Sequence, residues 1–457
     1  MSAFRSTGIR KVIARNIGYP LQDFMRGTSI IKTLGLLRAS QYWDESTLDE
    51  YRIGKLKKLV EFSSRNVPYY EKLFSRLKLK TSDLKSISDI QKIPILTKEI
   101  ARRENSNLMA RNFNIKLVKR GKTGGTTGTP LVLHKDTWNR SITWASYYRW
   151  YEWMGIEYGD RTATLWGTSS VLSRSVKANV VRTTTNFLHN HLEIDAFQMS
   201  GKDMEEIYNS LVKFQPVILK GYLSALLKLA EFIDNNKLNR LNPKLLSTTS
   251  ETLFPNQRAF LKRVFKAEVF DQYGCGELSA IAYECSFHEG LHINQEHIIL
   301  EVLDSDGASA VGKTGRIVGT DLDNYVMPFI RYENGDEATI SGSKCSCGIN
   351  QPLLTSIEGR TADTIILKNG SFVHGVFLTD IFYESGIFAN RIGRFQAIQT
   401  SPGEILLLLE SKTGLDASLL ISLQNNLERF FSRVEIKTVK DIPFEETGKF
   451  QYIKRLN

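Results

Sequence analysis

The sequence has little of what would tie a chain to a membrane, a secreted scaffold or a fibre. No run approaches the ~18 apolar residues of a membrane-spanning helix, and the longest apolar stretches, such as residues 405–409, are of strand length. Only four cysteines occur in 457 residues, all between Cys275 and Cys347. That excludes a disulfide-stapled scaffold, and clustering of this kind in a reducing compartment favours metal binding or catalysis. There is no internal repeat and no low-complexity segment, which excludes solenoids and disordered tails. Acidic charge is the sign in short supply: 49 Asp+Glu against 60 Lys+Arg leave +11. Such a surface attracts polyanions, among them nucleotides, CoA-like phosphates, nucleic acid and anionic leaflets. No helix-turn-helix or RNP strand is present, so a nucleic-acid partner is not expected.

What remains is 42% hydrophobic and 24% charged, the composition of an enzyme with a sizeable core and about two or three domains. Helical spacing of Ile53, Leu56, Leu59 and Val60 predicts helices over residues 47–77, broken at Pro68. The aromatic run over residues 138–154 predicts a core-facing helix rather than a stacking platform for bases. Met204, Ile207, Tyr208, Leu211 and Phe214 share a helical face, an apolar run follows at 217–219, and residues 223–233 are helical again. This alternation predicts an α/β domain with a partly parallel sheet. Past Glu284 the texture changes to short strands split by Gly and Asp turns. A smaller unit follows, with a turn at Asn369-Gly370, a strand at 404–409, a helix at 417–431 and a strand at 434–439. The predicted boundary lies near Arg360, giving a large domain 1–359 and a small one 360–457.

Residues 1–45 form a basic, helical lead-in. Arg10, Lys11, Arg15, Arg26 and Lys32 interrupt every apolar stretch, so no secretory signal is expected and a cytoplasmic protein is. The segment reads as a helical lid packed with its cations outward; the alternative is peripheral contact with the inner face of the membrane.

The most informative stretch is Lys122-Thr-Gly-Gly-Thr-Thr-Gly-Thr-Pro130. Gly124, Gly125 and Gly128 permit backbones whose N–H groups converge on one concavity, and Thr123, Thr126, Thr127 and Thr129 add hydroxyl donors around a polyphosphate. A Walker-type match, Gly307-Ala-Ser-Ala-Val-Gly-Lys-Thr314, is discounted. It lacks the helix N-terminus that would receive phosphates and reads as a hairpin turn between strands.

The glycine-threonine loop resembles the phosphate-binding loop of the adenylate-forming superfamily of acyl-CoA synthetases, adenylation domains and luciferases. Further segments similar to that family's motifs follow in order. Ser250 and Glu251 resemble the lining of the adenine pocket. Asp271-Gln-Tyr-Gly-Cys-Gly-Glu277 resembles the motif that places Gln272, Tyr273 and Gly274 at the nucleotide and Glu277 on Mg²⁺. Asp336, in Pro328-Phe-Ile-Arg-Tyr-Glu-Asn-Gly-Asp336, resembles the ligand of the ribose hydroxyls. Arg360 stands at the hinge motif, and Lys449, in Thr447-Gly-Lys449, resembles the catalytic lysine. The resemblance is to the phenylacetate-CoA ligase branch, with its capsular-polysaccharide relatives, and covers nearly the whole chain.

The resemblance implies an α/β fold, a large multi-sheet α/β N-terminal domain with a small mobile α+β C-terminal domain. It also implies ATP and AMP as nucleotides, Mg²⁺, a carboxylic acid activated as an acyl-adenylate, and CoA as the acyl acceptor. The capsule-linked relatives leave open an amine or hydroxyl acceptor in surface polysaccharide assembly. Gly276, where the family has a hydroxyl residue, Ala362 at the hinge and the aromatic segment after Lys449 depart from the pattern and keep open a non-catalytic nucleotide-binding relative. Trp166-Gly167 and residues 186–200 are expected near the acyl or acceptor pocket.

Cys285, His292, Cys345 and Cys347 supply three thiols and an imidazole, a set suited to structural Zn²⁺. His288 competes with His292, which is preferred because members of this branch show a similar Gly-Leu-His and later Cys-x-Cys-Gly. Cys275 reads as a packed residue rather than a nucleophile. His134, His189, His191, His297 and His374 have no evident partner and read as structural or exposed.

Overall fold

The computed structural model describes residues 2–114, 118–122, 131–166, 183–195, 201–250, 253, 255–358, 364–374, 376–387, 395–411, 414–442 and 453–455. At its centre, apolar strands alternating with amphipathic helices close into a five-stranded sheet in which every neighbouring pair is parallel. The spatial order is His191–Asp195, Thr162–Trp166, Ile218–Tyr222, Leu245–Thr249, Glu268–Phe270. The chain steps to one side and then returns across its first strand, so the order reverses between Thr162–Trp166 and Ile218–Tyr222. The crevice at such a reversal, outside the carboxyl ends of the strands, is where open α/β sheets take ligands.

Leu219 and Leu246 pack on one side of this sheet under the helices Gly201–Phe214, Leu223–Asn235 and Pro255–Phe265. Ile218 and Leu245 pack on the other under the helix Thr137–Trp153, whose Ile142, Tyr148, Trp150 and Tyr151 are buried. The aromatic helix is therefore core-facing, as its spacing predicts.

A second sheet has seven antiparallel strands in the order Ile298–Leu303, Thr314–Asp321, Tyr332–Ile340, Leu353–Glu358, Leu291–Ile293, Ser279–Glu284, Gln272–Cys275. Side chains link its last strand to its third: the Tyr273 hydroxyl donates to Asp336 and accepts from Asn334. The helices Glu45–Asn66 and Pro68–Leu77 share its core. Asp44 caps the first by accepting from the Thr47 amide at 2.7 Å, and Val67, extended as a residue before proline must be, separates the two. The Walker-like segment joins two antiparallel strands as a hairpin, with Gly307 and Gly312 at φ +83° and +76°.

Past residue 363 a separate core forms. It holds the hairpin Thr364–Ile366 with Phe372–His374, and a four-stranded sheet ordered Arg433–Val439, Glu404–Glu410, Phe395–Ser401, Ile453–Arg455. The helices Val376–Glu384 and Ala417–Glu428 complete it, with Leu378, Leu407 and Leu427 wholly buried. This unit touches the larger one where Lys228 donates to the Ser371 hydroxyl at 3.0 Å.

The N-terminal lead-in is helical, Ser2–Ile13, Tyr19–Arg26 and Ile30–Ser40. Its cations do not all face outward as expected. Lys11 lies 2.8 Å from Asp160, Arg15 lies 2.9 Å from Glu157, and Arg38 pairs with Glu152, because the large unit offers carboxylates along this face. Among the described residues no helix is long and apolar enough to cross a membrane.

Candidate functional site

The turn between Gln272–Cys275 and Ser279–Glu284 brings the aromatic-glycine motif to the edge of the seven-stranded sheet. Gly274 is required there: a Cβ would lie 2.5 Å from the Ser279 carbonyl oxygen. Opposite, pairing of Tyr332–Ile340 with its neighbour jumps from Arg316↔Glu337 to Val318↔Glu333, and Gly335 takes φ +88°. This bulge re-aims Asn334 and Asp336. Asp336 Oδ2 then accepts from the Tyr273 hydroxyl at 2.7 Å and from Asn334 Nδ2 at 2.9 Å. Burial, and then the Asp336 carboxylate, raise the Tyr273 phenol well above its ordinary range, so it stays a donor.

Glu277 is 5% exposed. Its Oε1 accepts from the Tyr332 hydroxyl at 2.8 Å, and its carbonyl accepts from Lys135 Nζ at 2.8 Å. Lys135 also holds the Ser279 hydroxyl at 2.7 Å. Behind it lies a buried charged layer in which His297 Nδ1 is 2.9 Å from Asp323, which also takes Lys55 at 2.7 Å and the Trp138 indole at 2.8 Å. His297 is thus structural, as read from sequence, but not without partners. Burial and then the Glu277 carboxylate raise the Cys275 thiol, which keeps it protonated and un-nucleophilic.

Ser250 is exposed, at φ +72°, directly after the carboxyl end of Leu245–Thr249. Trp166 stands at the strand reversal, stacked on Tyr222 at 4.5 Å. Thr123, Gly124, Gly125, Thr126, Thr127, Gly128, Thr129, Gly167, residues 196–200, Glu251, Arg360, Ala362 and Lys449 lie outside the described residues. The strands flanking the glycine-threonine loop are antiparallel partners, Lys122 opposite Val132. The sequence reading did not weigh Tyr332 and Asn334; the alternation of Tyr332, Asn334 and Asp336 was the signal available.

The second constellation joins Cys285, His292, Cys345 and Cys347, whose ligand atoms all lie within 4.8 Å of one another. Cys285 follows the strand Ser279–Glu284, His292 lies within Leu291–Ile293, and the two other thiols come from the loop before Leu353–Glu358. Gly290 makes the approach possible at φ +146°, where a Cβ would meet the Leu354 carbonyl oxygen at 2.7 Å. The separations are 3.6 Å between Cys285 and Cys345 sulfurs and 3.3 Å from Cys347 Sγ to His292 Nε2. Edges of a tetrahedron with Zn–S about 2.3 Å and Zn–N about 2.0 Å are roughly 3.5–3.8 Å, so the donor set fits zinc. His292 Nδ1 faces the Gln351 carbonyl at 3.2 Å, which assigns the ring its donor and turns Nε2 to the thiols. Burial pushes this imidazole down to about 4, so it is neutral as a ligand must be. His288 instead lies 3.0 Å from Glu284 and against the Phe270 ring.

Residues 365–456 match the family model described as the CapK C-terminal domain. The CapK protein of Staphylococcus aureus is 25% identical over 64% of this chain and 63% of its own length, so the match spans less than two thirds of that protein. The phenylacetate-coenzyme A ligase of Pseudomonas putida is 24% identical over 70% of this chain and 72% of its own. That of Thermus thermophilus is 24% identical over 69% and 70%. Over about two thirds of its length the chain is similar in sequence to CapK and to the phenylacetate-CoA ligases. Among solved structures, 2-hydroxyisobutyryl-CoA ligase with 2-HIB-AMP and CoA in the thioesterification state matches this chain at TM-score 0.66 and 19% identity, covering 91% of this chain and 92% of that one. The postadenylation state with 2-HIB-AMP gives 0.61 at 18%, covering 91% of each. The chain shares the fold of these ligase structures: mixed α/β with several sheets and a C-terminal domain.

Proposed function

We propose that this chain is an AMP-forming acid–thiol ligase. It joins a carboxylate to the α-phosphate of ATP with release of pyrophosphate, and passes the acyl group to the CoA thiol. A free carboxylate resists thiols at neutral pH because its leaving group would be oxide; joined to AMP, it has a good one. The observation that carries this reading is the convergence of Tyr273, Asn334, Asp336 and Glu277 on the edge of the seven-stranded sheet.

Asp336, held on one oxygen by two donors, is oriented for the ribose hydroxyls before nucleotide arrives. Tyr273 offers its ring to adenine, with Gln272, Gly274, Ser250 and Glu251 lining the pocket. The loop from Thr123 to Thr129 supplies donors to the β- and γ-phosphates, Arg360 belongs to the hinge between domains 1–359 and 360–457, and Lys449 bridges the carboxylate and the α-phosphate. The carboxylate oxygen attacks phosphorus as the bond to pyrophosphate breaks; later the thiol sulfur attacks the acyl carbon and AMP leaves. Both steps concentrate negative charge, which fixed cations and donors must meet. Glu277, anchored by Tyr332 and Lys135, fits a Mg²⁺ ligand, and Mg²⁺ when bound would neutralise phosphate charge. Zn²⁺ on the cysteine–histidine cluster would be structural.

A second acceptor reading, implied by the sequence resemblance to capsule-linked relatives, has the same acyl-adenylate meet an amine or hydroxyl in polysaccharide assembly. Pyrophosphate release from ATP and Mg²⁺, followed across a panel of carboxylic and sugar acids with and without CoA, tests both. At least one acid should support release, and a CoA thioester selects the first reading over the second. Failure of every acid, with Asp336→Ala binding ATP as the parent does, overturns the ligase reading.

A further inference from the structure

Lys220 is a buried cation that the nucleotide chemistry leaves without a task. It sits mid-strand in Ile218–Tyr222, at the reversal of strand order, on the sheet face that packs under the helix Thr137–Trp153. Its Nζ stands 5.4 Å from the ring centre of Tyr147 and 5.9 Å from that of Trp144, within cation–π reach. Its one hydrogen bond among the described residues is a long one, 3.4 Å, to the Tyr151 hydroxyl.

The neighbours in register, Thr164 and Ser247, carry no charge. The Thr164 hydroxyl lies 2.8 Å from His191 Nε2, and burial, then Lys220 itself, push that imidazole down to about 3, so it is neutral too. Glu193, in the same row of the sheet, pairs with Thr164 two strands away from Lys220, roughly 10 Å across the sheet. Burial holds the lysine below its ordinary range, with only the Tyr147 phenol opposing it. At the carboxyl ends of the same two strands Trp166 stacks on Tyr222. A cation among aromatic rings, with no counter-ion beside it among the described residues, marks a place where a ligand supplies one.

We infer that Lys220 reads the far end of the acid, and that the substrate class is a carboxylic acid carrying a second anionic group, its skeleton against the aromatic walls and that second anion on the ammonium. This rests on the ligase reading and deepens it, since activation as such needs only one carboxylate.

Two probe pairs test it: butyrate against glutarate, and phenylacetate against 1,4-phenylenediacetate. Pyrophosphate release gives kcat/KM, and calorimetry gives acid binding to the full chain. The diacid of at least one pair should exceed its monoacid by about tenfold or more. Lys220→Met should erase that preference and weaken diacid binding while sparing the monoacid, and Lys220→Arg should keep part of it. The acid-free Lys220→Met protein should melt no lower than the parent, because it loses a buried cation that forms no ion pair among the described residues. Equal use and equal binding of mono- and diacid by the parent, or equal loss of both in Lys220→Met, overturns the inference. If no acid drives pyrophosphate release the ligase reading falls, and diacid binding with its loss in Lys220→Met still decides the role of Lys220.

Discussion

Asp336 and Tyr273 show how far single residues could be read. Each was recognisable from its motif, but the bond between them was not, because it joins the last strand of a seven-stranded sheet to its third across 63 residues of sequence. Tyr273→Phe removes one of the two donors on Asp336 Oδ2; KM for ATP should rise about tenfold with kcat little changed, whereas Asp336→Ala should cost about a hundredfold or more in kcat/KM. Steady-state kinetics in ATP checks both, and an unchanged KM in Tyr273→Phe would remove the positioning role. Asp271, two residues upstream, makes a prediction of a different kind. Burial, with Glu284 beside it, pushes its carboxyl up to about 7, although it accepts from the Thr248 hydroxyl and the Gln272 amide, both at 2.9 Å. A raised acid means that the folded chain holds a proton the unfolded chain has released, so the stability this group contributes is complete below about pH 4 and lost as the pH rises through 7. Asp271→Asn should therefore stabilise near pH 8 by an amount of order 1–3 kcal/mol and change little near pH 4. Equal shifts in thermal unfolding at both pH values would contradict it.

Elements were more legible than contacts. The helix–strand–helix run from Met204 to Ile233 and the strand, helix and strand Glu404–Glu410, Ala417–Glu428 and Arg433–Val439 appear where periodicity put them, because burial on one face writes the same pattern into sequence and structure. The bulge at Asn334-Gly-Asp336 was not legible, since the two extra residues in the strand leave only a glycine as their trace. The cysteine–histidine cluster was named by residue from spacing and resemblance, yet its position explains its use. It ties the loop before Leu353–Glu358 to Leu291–Ile293, and Gln351 passes the connection inward. Gln351 takes His292 on its carbonyl and donates at 2.6 Å to Glu296, which the fully buried Arg149 meets at 2.6 Å. The Asn350 amide donates to the Gln41 carbonyl at 3.0 Å, so the N-terminal lead-in hangs on the same loop. Cys345→Ser, or a strong chelator, should lower the melting temperature by several degrees and remove zinc from the purified protein. Less than about half an equivalent of zinc in the parent, with Cys345→Ser equally stable, would contradict a structural metal.

For the whole molecule, resemblance carried what composition could not. The charge of +11 fits polyphosphate substrates without choosing among them, and the antiparallel sheet, the parallel sheet and the C-terminal unit together supply the architecture on which the ordered motifs make chemical sense. The proposed reaction puts two half-reactions on one chain, and in it the small unit would present Lys449 in the first and withdraw it in the second. Lys449→Ala should abolish formation of the acyl-adenylate and spare thioester formation from a preformed one; equal loss of both steps would contradict the rotation. The claim beneath all of this is that the acid's own oxygen becomes bonded to the α-phosphorus of ATP. An accepted acid labelled with ¹⁸O in both carboxylate oxygens, turned over with ATP and CoA, measures that by mass spectrometry of the products. The account predicts one ¹⁸O in each AMP formed; label in inorganic phosphate, or AMP without label, would contradict it.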